Sequence, residues 1–421
     1  MKSFKFKILV SIYLIVLFCM ASMRFFTFLQ LEIFDRDRYL KHINEFEDKS
    51  FYDQIAHGTS VVFNGAIYFV NFFTKDLGLS FTILNIISVI FLGVIGGVIV
   101  YRNKSNYKWL NILFVPLFLL LWLNDEQVQW TNNDIFLSVI VLLIYLILFT
   151  PYKLINKTIS LGVLLALLFS TRLYFSLVLV PAFVFCFIVF CIHKSITIKK
   201  VLIFIGVFCV GILMFNFPSF IEKGKLSAYV KGGDYASYNT VGTLRMFDEH
   251  RVKLIRKEIY VESSSTEFVE EYKKLHNIKE LPKGVLNFMI AYPVYYLKLF
   301  GLNLVNVSIF LFRRYAFLLI LPLLSLYVNL KKDSIKAIFS KQQLPFMMFM
   351  ISCFFLLLVL HTVIEFRWLD TIEFLIVFSI FKASHDLYKR KYKIKRLNII
   401  VVLSLLLLTI FNVRTIINMI S

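Results

Sequence analysis

The sequence predicts an all-α polytopic membrane protein with about eleven transmembrane helices and two larger extracytoplasmic loops that carry interfacial helices. Of the 421 residues, 59% are hydrophobic and only 17% are charged, whereas a soluble domain carries about 25% charged residues. The apolar excess, which includes 47 Phe, is too large for one core surrounded by water. A cytosolic enzyme, a disulfide scaffold and a disordered tail are therefore excluded.

The apolar runs have the length needed to cross roughly 30 Å of hydrocarbon. The first run, residues 8–28, follows a lysine-rich start and is not followed by a small-residue cleavage site, which favours a retained helix over a signal peptide. The predicted spans are 8–28, 80–100, 110–123, 134–150, 158–172, 174–192, 201–217, 315–330, 345–361, 368–384 and 397–413.

The distribution of basic residues predicts the topology. If the N-terminus is cytoplasmic and the spans alternate, every cytoplasmic loop contains Lys or Arg, as the positive-inside rule requires. These loops are 101–109, 151–157, 193–200, 331–344 and 385–396. The net charge of +20 is then a topology signal plus attraction to anionic lipid, and no nucleic-acid partner is expected. We expect a multi-pass protein of the cell membrane, in bacteria the cytoplasmic membrane, with the C-terminus outside.

The same alternation leaves residues 29–79 and 218–314 outside. Two apolar stretches within them, 58–73 and 285–312, would invert every later loop if they crossed, so we interpret them as interfacial or re-entrant helices. A further short helix is predicted at 266–275. The predicted organisation is a membrane bundle over 1–217 with its first outer loop (29–79), a large outer loop over 218–314 and C-terminal membrane helices over 315–421.

Two acidic clusters lie on the predicted outer side. Asp35 and Asp37 follow the first span directly, where a carboxylate could deprotonate an acceptor hydroxyl at the membrane surface. Glu126 and Asp134 lie in or next to a short outer turn that should return beside the first outer loop. The alternatives are a solvated acidic loop for the first pair and a helix N-cap for Asp134.

Four arginines on the predicted outer side depart from the positive-inside pattern: Arg172, Arg313, Arg314 and Arg367. The planar guanidinium is suited to phosphate oxygens, so a set of them at membrane level indicates an anionic lipid phosphate. The alternative for each is interfacial snorkelling or a local ion pair such as Glu365 with Arg367.

Other chemistries lack their sequence signals. All five cysteines lie in apolar runs, which indicates packing residues and neither disulfides nor a thiolate metal site. The outward histidines have no ligand spacing typical of zinc, and neither a phosphate-binding Gly-rich loop nor a Gly-x-Ser-x-Gly elbow occurs. No nucleotide or organic cofactor is expected, and a divalent metal is left open.

The order of several segments resembles the GT-C superfamily of membrane glycosyltransferases, which includes protein O-mannosyltransferases and bacterial aminoarabinose transferases. The segments are DRDRYLKHINEF, LGLSFTILNIIS, NNDIFLSVIVLLIYL, STRLYFSLVLVPAF, YPVYYLKLFGLNL and EFRWLDTIEFLIVF. The first departs from the Asp-Glu or Asp-Asp of that family, because Asp-Arg-Asp-Arg stands there, so Asp35 and Asp37 compete for the role of the base.

The resemblance implies an inverting transfer of a sugar from a polyprenyl-phosphate donor to a glycan, lipid or protein acceptor at the outer face. Asp37, or else Asp35, would be the base, Asp134 would shape the site, and Tyr39, Glu126 and the four arginines would bind substrate. Two other classes stay open: a polysaccharide polymerase that uses a lipid diphosphate oligosaccharide, and a lipid-linked sugar flippase or transporter. The low number of charges within the predicted spans disfavours a transporter.

Overall fold

The computed structural model describes residues 4–28, 61–102, 111, 134–149, 154–171, 173–193, 197–224, 233–249, 266–282, 284–360, 364, 367–392 and 394–420. These residues form helices and no strand. The α-helices are α1 (Phe4–Phe28), α2 (Val61–Thr74), α3 (Leu77–Arg102), α4 (Asp134–Phe149), α5 (Leu154–Thr171), α6 (Leu173–Ile192), α7 (Ile198–Lys223), α8 (Gly233–Asp248), α9 (Thr266–Leu275), α10 (Val285–Ala291), α11 (Pro293–Tyr315), α12 (Ile320–Asp333), α13 (Leu344–Val359), α14 (Arg367–Lys389) and α15 (Ile394–Ile420).

Most predicted spans coincide with one of these helices. The span predicted at 315–330 instead covers the last residue of α11, a 3₁₀ turn (Ala316–Leu319) and most of α12, and the span over 110–123 lies almost wholly outside the described residues. Four segments are long and apolar enough to cross a membrane: Leu77–Ile99, Ile198–Phe217, Pro293–Lys332 and Lys395–Asn418. Shorter apolar helices accompany them. The all-helical fold class is confirmed, and the number of spans stays a prediction.

α14 lies at the centre of the bundle. Nearly every side chain described between Ile372 and Tyr388 is buried, and α14 packs against α4, α12 and α13. A helix that is buried around its whole circumference must be covered by other elements, and here neighbouring helices cover it. Polar groups on α14 are consequently removed from water.

One end of the bundle, which we call the basic end, is formed by the described residues of three segments: 193 with 197–200, 331–343, and 385–392 with 394–396. The His193 ring Nε2 lies 3.0 Å from the Phe339 carbonyl oxygen, and the Lys341 ammonium lies 6.0 Å from the centre of the Phe190 ring. The Gln343 Nε2 donates to the Ser325 hydroxyl at 3.0 Å, and that hydroxyl donates to Asp386 Oδ2 at 3.4 Å. Described parts of three loops predicted to be cytoplasmic therefore lie at the same end of the helices. The opposite end, where α13 ends and α14 begins, is called the far end.

A small helical cluster forms from the chain segment predicted as the large outer loop. α8, α9, α10 and the first turns of α11 bury a shared apolar core formed by Val241, Leu244, Val269, Tyr272, Leu281, Phe288 and Tyr296. The helix predicted at 266–275 is confirmed as α9. The Tyr296 hydroxyl donates to the Leu358 carbonyl at 3.0 Å, which attaches this outer cluster to the far end of α13.

The connection between α2 and α3 is a tight turn. Lys75 adopts a left-handed conformation with φ 54°, and the Asp76 carboxylate accepts the Leu79 N–H at 3.0 Å, as a helix N-cap does. The Thr74 and Ser80 hydroxyls lie 2.6 Å apart. The stretch 58–73, predicted to be an interfacial helix, is thus helical from Val61 and folds back on α3.

α5 and α7 pack closely through two glycines. A Cβ placed on Gly211 would lie 2.7 Å from the Ala166 Cβ, and one on Gly162 would lie 3.0 Å from Val207 Cγ1. Small residues of this kind allow helix backbones to approach in membranes. α7 also extends beyond its predicted end at 217, because it reaches Lys223 and is closed by Gly224 in the left-handed conformation.

The apolar segment Pro293–Lys332 is bent and does not form one helix. Ala316 has φ 46° and ψ −132°, a conformation that costs an L-residue free energy and is usually left to glycine. A 3₁₀ turn, Ala316–Leu319, follows and leads into α12. The 40 residues would extend about 60 Å as one straight helix, twice the hydrocarbon thickness, so the bend divides them into α11 and a second helical part.

Candidate functional site

The described residues contain one fully buried acid that is joined to an arginine from another helix. Arg314 Nη1 donates to Glu373 Oε2 at 2.6 Å, and the Tyr315 hydroxyl donates to Glu373 Oε1 at 2.7 Å. Glu373 is 0% exposed and Arg314 is 18% exposed. Both oxygens of the carboxylate are thus held by the last two residues of α11, which fixes the carboxylate and the guanidinium relative to each other.

An aromatic ring also fixes the Arg314 side chain. The Arg314 Cζ lies 4.4 Å from the centre of the Phe310 ring, one helical turn earlier in α11. Side chains in a helix lean toward its N-terminus, so the guanidinium lies over the preceding turn. A guanidinium held by a carboxylate and a ring keeps a defined direction, which is what recognition of a phosphate requires.

Two asparagines, a phenylalanine and an arginine share one face of α11. Asn303, Asn306, Phe310 and Arg314 follow one another at intervals of three and four residues, the spacing that places side chains on the same side of a helix. The Asn303 Oδ1 accepts the Ile364 N–H at 2.8 Å. This face of α11 therefore contacts Ile364, the one residue that the structure describes between Leu360 at the end of α13 and the start of α14.

The bend at Ala316 follows directly after the two residues that hold Glu373. Consecutive residues of a helix point about 100° apart, and the chain leaves the helical conformation as soon as Arg314 and Tyr315 have reached the same carboxylate. Strained conformations of this kind tend to be found at functional sites. We call the set Phe310, Arg314, Tyr315 and Glu373, with Asn303 and Asn306 on the same face of α11, the α11 polar site.

A second group of polar and aromatic side chains lies on the outer cluster. The Tyr295 hydroxyl donates to Asp248 Oδ1 at 2.6 Å. The Lys298 ammonium lies 5.7 Å from the centre of the Tyr295 ring and 5.8 Å from that of Phe247. Burial, followed by the Asp248 carboxylate, raises the pKa of the nearby Tyr272 phenol. Tyr272 is consequently neutral at physiological pH.

The structure separates the two adjacent arginines that were predicted to bind phosphate. Arg314 belongs to the α11 polar site, whereas Arg313 is exposed in the last turn of the same helix. Arg367 is the first residue of α14. Asp134 is the first residue of α4, as expected for an acid at the start of the span predicted at 134–150. The side chains of Arg367 and Asp134 lie outside the described part of the structure.

The remaining predicted site residues lie outside the described residues altogether. They are Asp35, Asp37, Tyr39, Glu126 and Arg172. The catalytic roles assigned to Asp35 and Asp37 and the substrate-binding roles of the other three stay predictions.

Glu373 and Tyr315 are not among the residues predicted from the sequence. A signal for Glu373 exists, because it is a single acid within the apolar stretch 372–381, and an ionisable residue inside a predicted span is a functional candidate. Tyr315 has no such signal, because tyrosines are common at membrane boundaries.

Among the described residues, no group of three or more His, Cys, Asp or Glu side chains is arranged to hold a metal ion. Comparisons of the chain with family models, with curated proteins and with solved structures find no match.

Proposed function

We propose that the chain is a membrane glycosyltransferase that moves a sugar from a polyprenyl-phosphate donor to an acceptor at the extracytoplasmic face. In this proposal the chain crosses the membrane about eleven times, with the N-terminus in the cytoplasm and the far end of the bundle outside. The acceptor is a lipid-linked glycan, a polysaccharide or a protein.

The observation that carries the proposal is the Arg314 guanidinium, which Glu373 and Phe310 hold at the far end of an apolar bundle. A lipid phosphate lies at the boundary between hydrocarbon and water, and a guanidinium of fixed direction can bind two of its oxygens. Because its partners are already in place, the guanidinium needs little reorganisation when charge develops on the leaving phosphate.

The proposed reaction is a direct displacement. The acceptor hydroxyl oxygen forms a bond to the anomeric carbon while the bond from that carbon to the phosphate oxygen breaks. The lipid phosphate leaves with the electron pair, and Arg314 stabilises its charge. Asp37, or Asp35, takes the proton of the acceptor hydroxyl. One displacement without a covalent intermediate inverts the anomeric configuration.

A lipid-linked sugar transporter is the second candidate, and the same buried pair favours it. Charged residues inside a helical bundle are costly and often mark the path of a polar substrate. Glu373 lies about 20 Å along α14 from Asp386, the next buried acid described in that helix. A transporter would move the intact lipid-linked sugar and leave its phosphate ester uncleaved.

The deciding experiment uses the full chain in lipid nanodiscs with a panel of polyprenyl-phosphate hexoses and a mixture of acceptor glycans. We expect release of polyprenyl phosphate together with a glycosylated product of inverted configuration, detected by mass spectrometry and by proton NMR of the anomeric signal. Turnover of a polyprenyl-diphosphate oligosaccharide alone would identify a polymerase. Movement of uncleaved donor between the leaflets of proteoliposomes, with no transfer, would identify a transporter.

A further inference from the structure

Asn306 carries a buried hydrogen-bond donor that has no acceptor among the described residues. The residue is 2% exposed, and its Nδ2 is without a hydrogen-bond partner there. Buried polar groups in proteins are nearly always paired, so each exception requires an explanation. Replacing such a side chain by an apolar one of similar size removes the cost of the missing bond.

The position of Asn306 connects this donor with the α11 polar site. Asn306 lies one turn before Phe310 on the same face of α11, and the Arg314 guanidinium lies over the Phe310 ring. The two residues are eight positions apart, about 12 Å along the helix axis, and the long Arg314 side chain shortens this gap because its guanidinium lies back over the Phe310 ring. One headgroup can span both groups.

We propose that Asn306 Nδ2 donates a hydrogen bond to an oxygen of the donor headgroup that Arg314 holds through its phosphate. This inference rests on the proposed function and adds a specificity residue to it. An amide N–H bonds only to an acceptor, so its partner is a hydroxyl, carbonyl or phosphate oxygen. A site built to bond a substrate oxygen discriminates strongly against a ligand that lacks it.

The test compares two buried asparagines in the full-length protein in nanodiscs. Asn306→Leu removes the amide donor that has no acceptor among the described residues. Asn329→Leu is the matched control, because the Asn329 Nδ2 near the basic end already donates to the Ser325 hydroxyl at 3.5 Å. The probes are polyprenyl phosphate and polyprenyl-phosphate hexose, and the readouts are the dissociation constants and the Tm of the ligand-free protein.

We expect Asn306→Leu to weaken binding at least tenfold without lowering the Tm of the ligand-free protein. Asn329→Leu should lower that Tm and leave both affinities unchanged. Asn306→Asp keeps the shape of the side chain but replaces its N–H donor by an acceptor oxygen, so this variant should also weaken binding. It provides the test if Asn306→Leu does not fold. A loss confined to the hexose probe assigns the bond to a sugar oxygen, and an equal loss with both probes assigns it to phosphate.

Unchanged affinities in both Asn306 variants would overturn the inference and leave the proposed function intact. A lower Tm for ligand-free Asn306→Leu would also overturn it, because the amide would then already have a partner in the free protein. A parent protein that binds neither probe would overturn the proposed function and this inference with it.

Discussion

Arg314 and Glu373 are 59 positions apart in the chain, and their side chains meet at 2.6 Å in the interior of the helical bundle. The carboxylate is removed from water, so its ionised form depends on the guanidinium and on the Tyr315 hydroxyl. A buried pair of this kind contributes little net stability compared with apolar residues, but it is costly to break. A gain in stability therefore does not explain why the pair is present at the far end.

Breaking the pair should destabilise the protein. Glu373→Gln retains the size of the side chain and leaves the Arg314 charge without its counterion, so we expect the free energy of unfolding to fall by about 3 kcal/mol. Replacing both residues, as in Arg314→Met with Glu373→Leu, should cost much less than the sum of the single changes. Thermal or chemical unfolding in detergent measures these differences.

The pair Arg245 and Glu249, in which the acid is exposed, provides the control for that series. Their side chains meet at 2.6 Å one helical turn apart; Glu249 is 39% exposed and Arg245 is 11% exposed. Because water reaches the Glu249 carboxylate and screens its charge, Glu249→Gln should change stability by less than about 1 kcal/mol. Strictly additive effects of the Arg314 and Glu373 substitutions would show that the two side chains are not coupled.

The two neighbouring arginines should differ in donor binding. Arg314→Lys keeps the charge but loses the planar group that can bind two phosphate oxygens, so affinity for a polyprenyl-phosphate sugar should fall by about tenfold or more. Arg313→Lys, at an exposed position in the same turn, should have little effect. Equal affinities for the two variants would mean that neither guanidinium binds the phosphate.

Asp37→Asn should abolish sugar transfer and leave donor binding largely intact. The amide has nearly the shape of the carboxylate but cannot accept the proton of the acceptor hydroxyl. Asp35→Asn is the parallel variant, since either acid can be the base. The assay measures product formation and donor affinity for both, and full activity in each variant would place the base elsewhere.

The strained backbone conformation at Ala316 can be tested by replacing Ala316 with a smaller and with a larger residue. Ala316→Gly relieves the positive φ but loses a buried methyl group and adds freedom to the unfolded chain, so the net change should be within about 1 kcal/mol. Ala316→Val places a β-branched side chain in the same buried and strained conformation, and should destabilise by about 2 kcal/mol or more. Similar Tm values for the valine variant and the parent would contradict the strained bend.

Single cysteines can establish the topology. In a chain without its five native cysteines, Glu280→Cys on the outer cluster should react with a membrane-impermeant maleimide added outside intact cells. Lys395→Cys, at the start of α15, should react only after the membrane is permeabilised. Both positions are exposed in the structure. Labelling of position 280 from the cytoplasmic side alone would reverse the proposed orientation.

The apolar helices could be predicted from the sequence because apolar length is a local property. α9 matches its predicted bounds because its signals are local too: helix start residues precede it, and acids come before lysines along it. The pairing of Arg314 with Glu373 could not be predicted, because it depends on how two distant helices pack. The bend at Ala316 could not be predicted either, because alanine is the best helix former and carries no turn signal.

The close packing of α5 and α7 has a consequence for how the sequence can change. α7 packs mainly on α5, with a smaller contact to α2, and many of its other apolar side chains are exposed. Most positions of α7 can therefore be replaced by other apolar residues. Gly211 of α7 and Gly162 of α5 cannot, because even one added methyl group at Gly211 would collide with Ala166. The close approach of α7, a helix of 26 residues, to α5 thus depends on two positions without side chains.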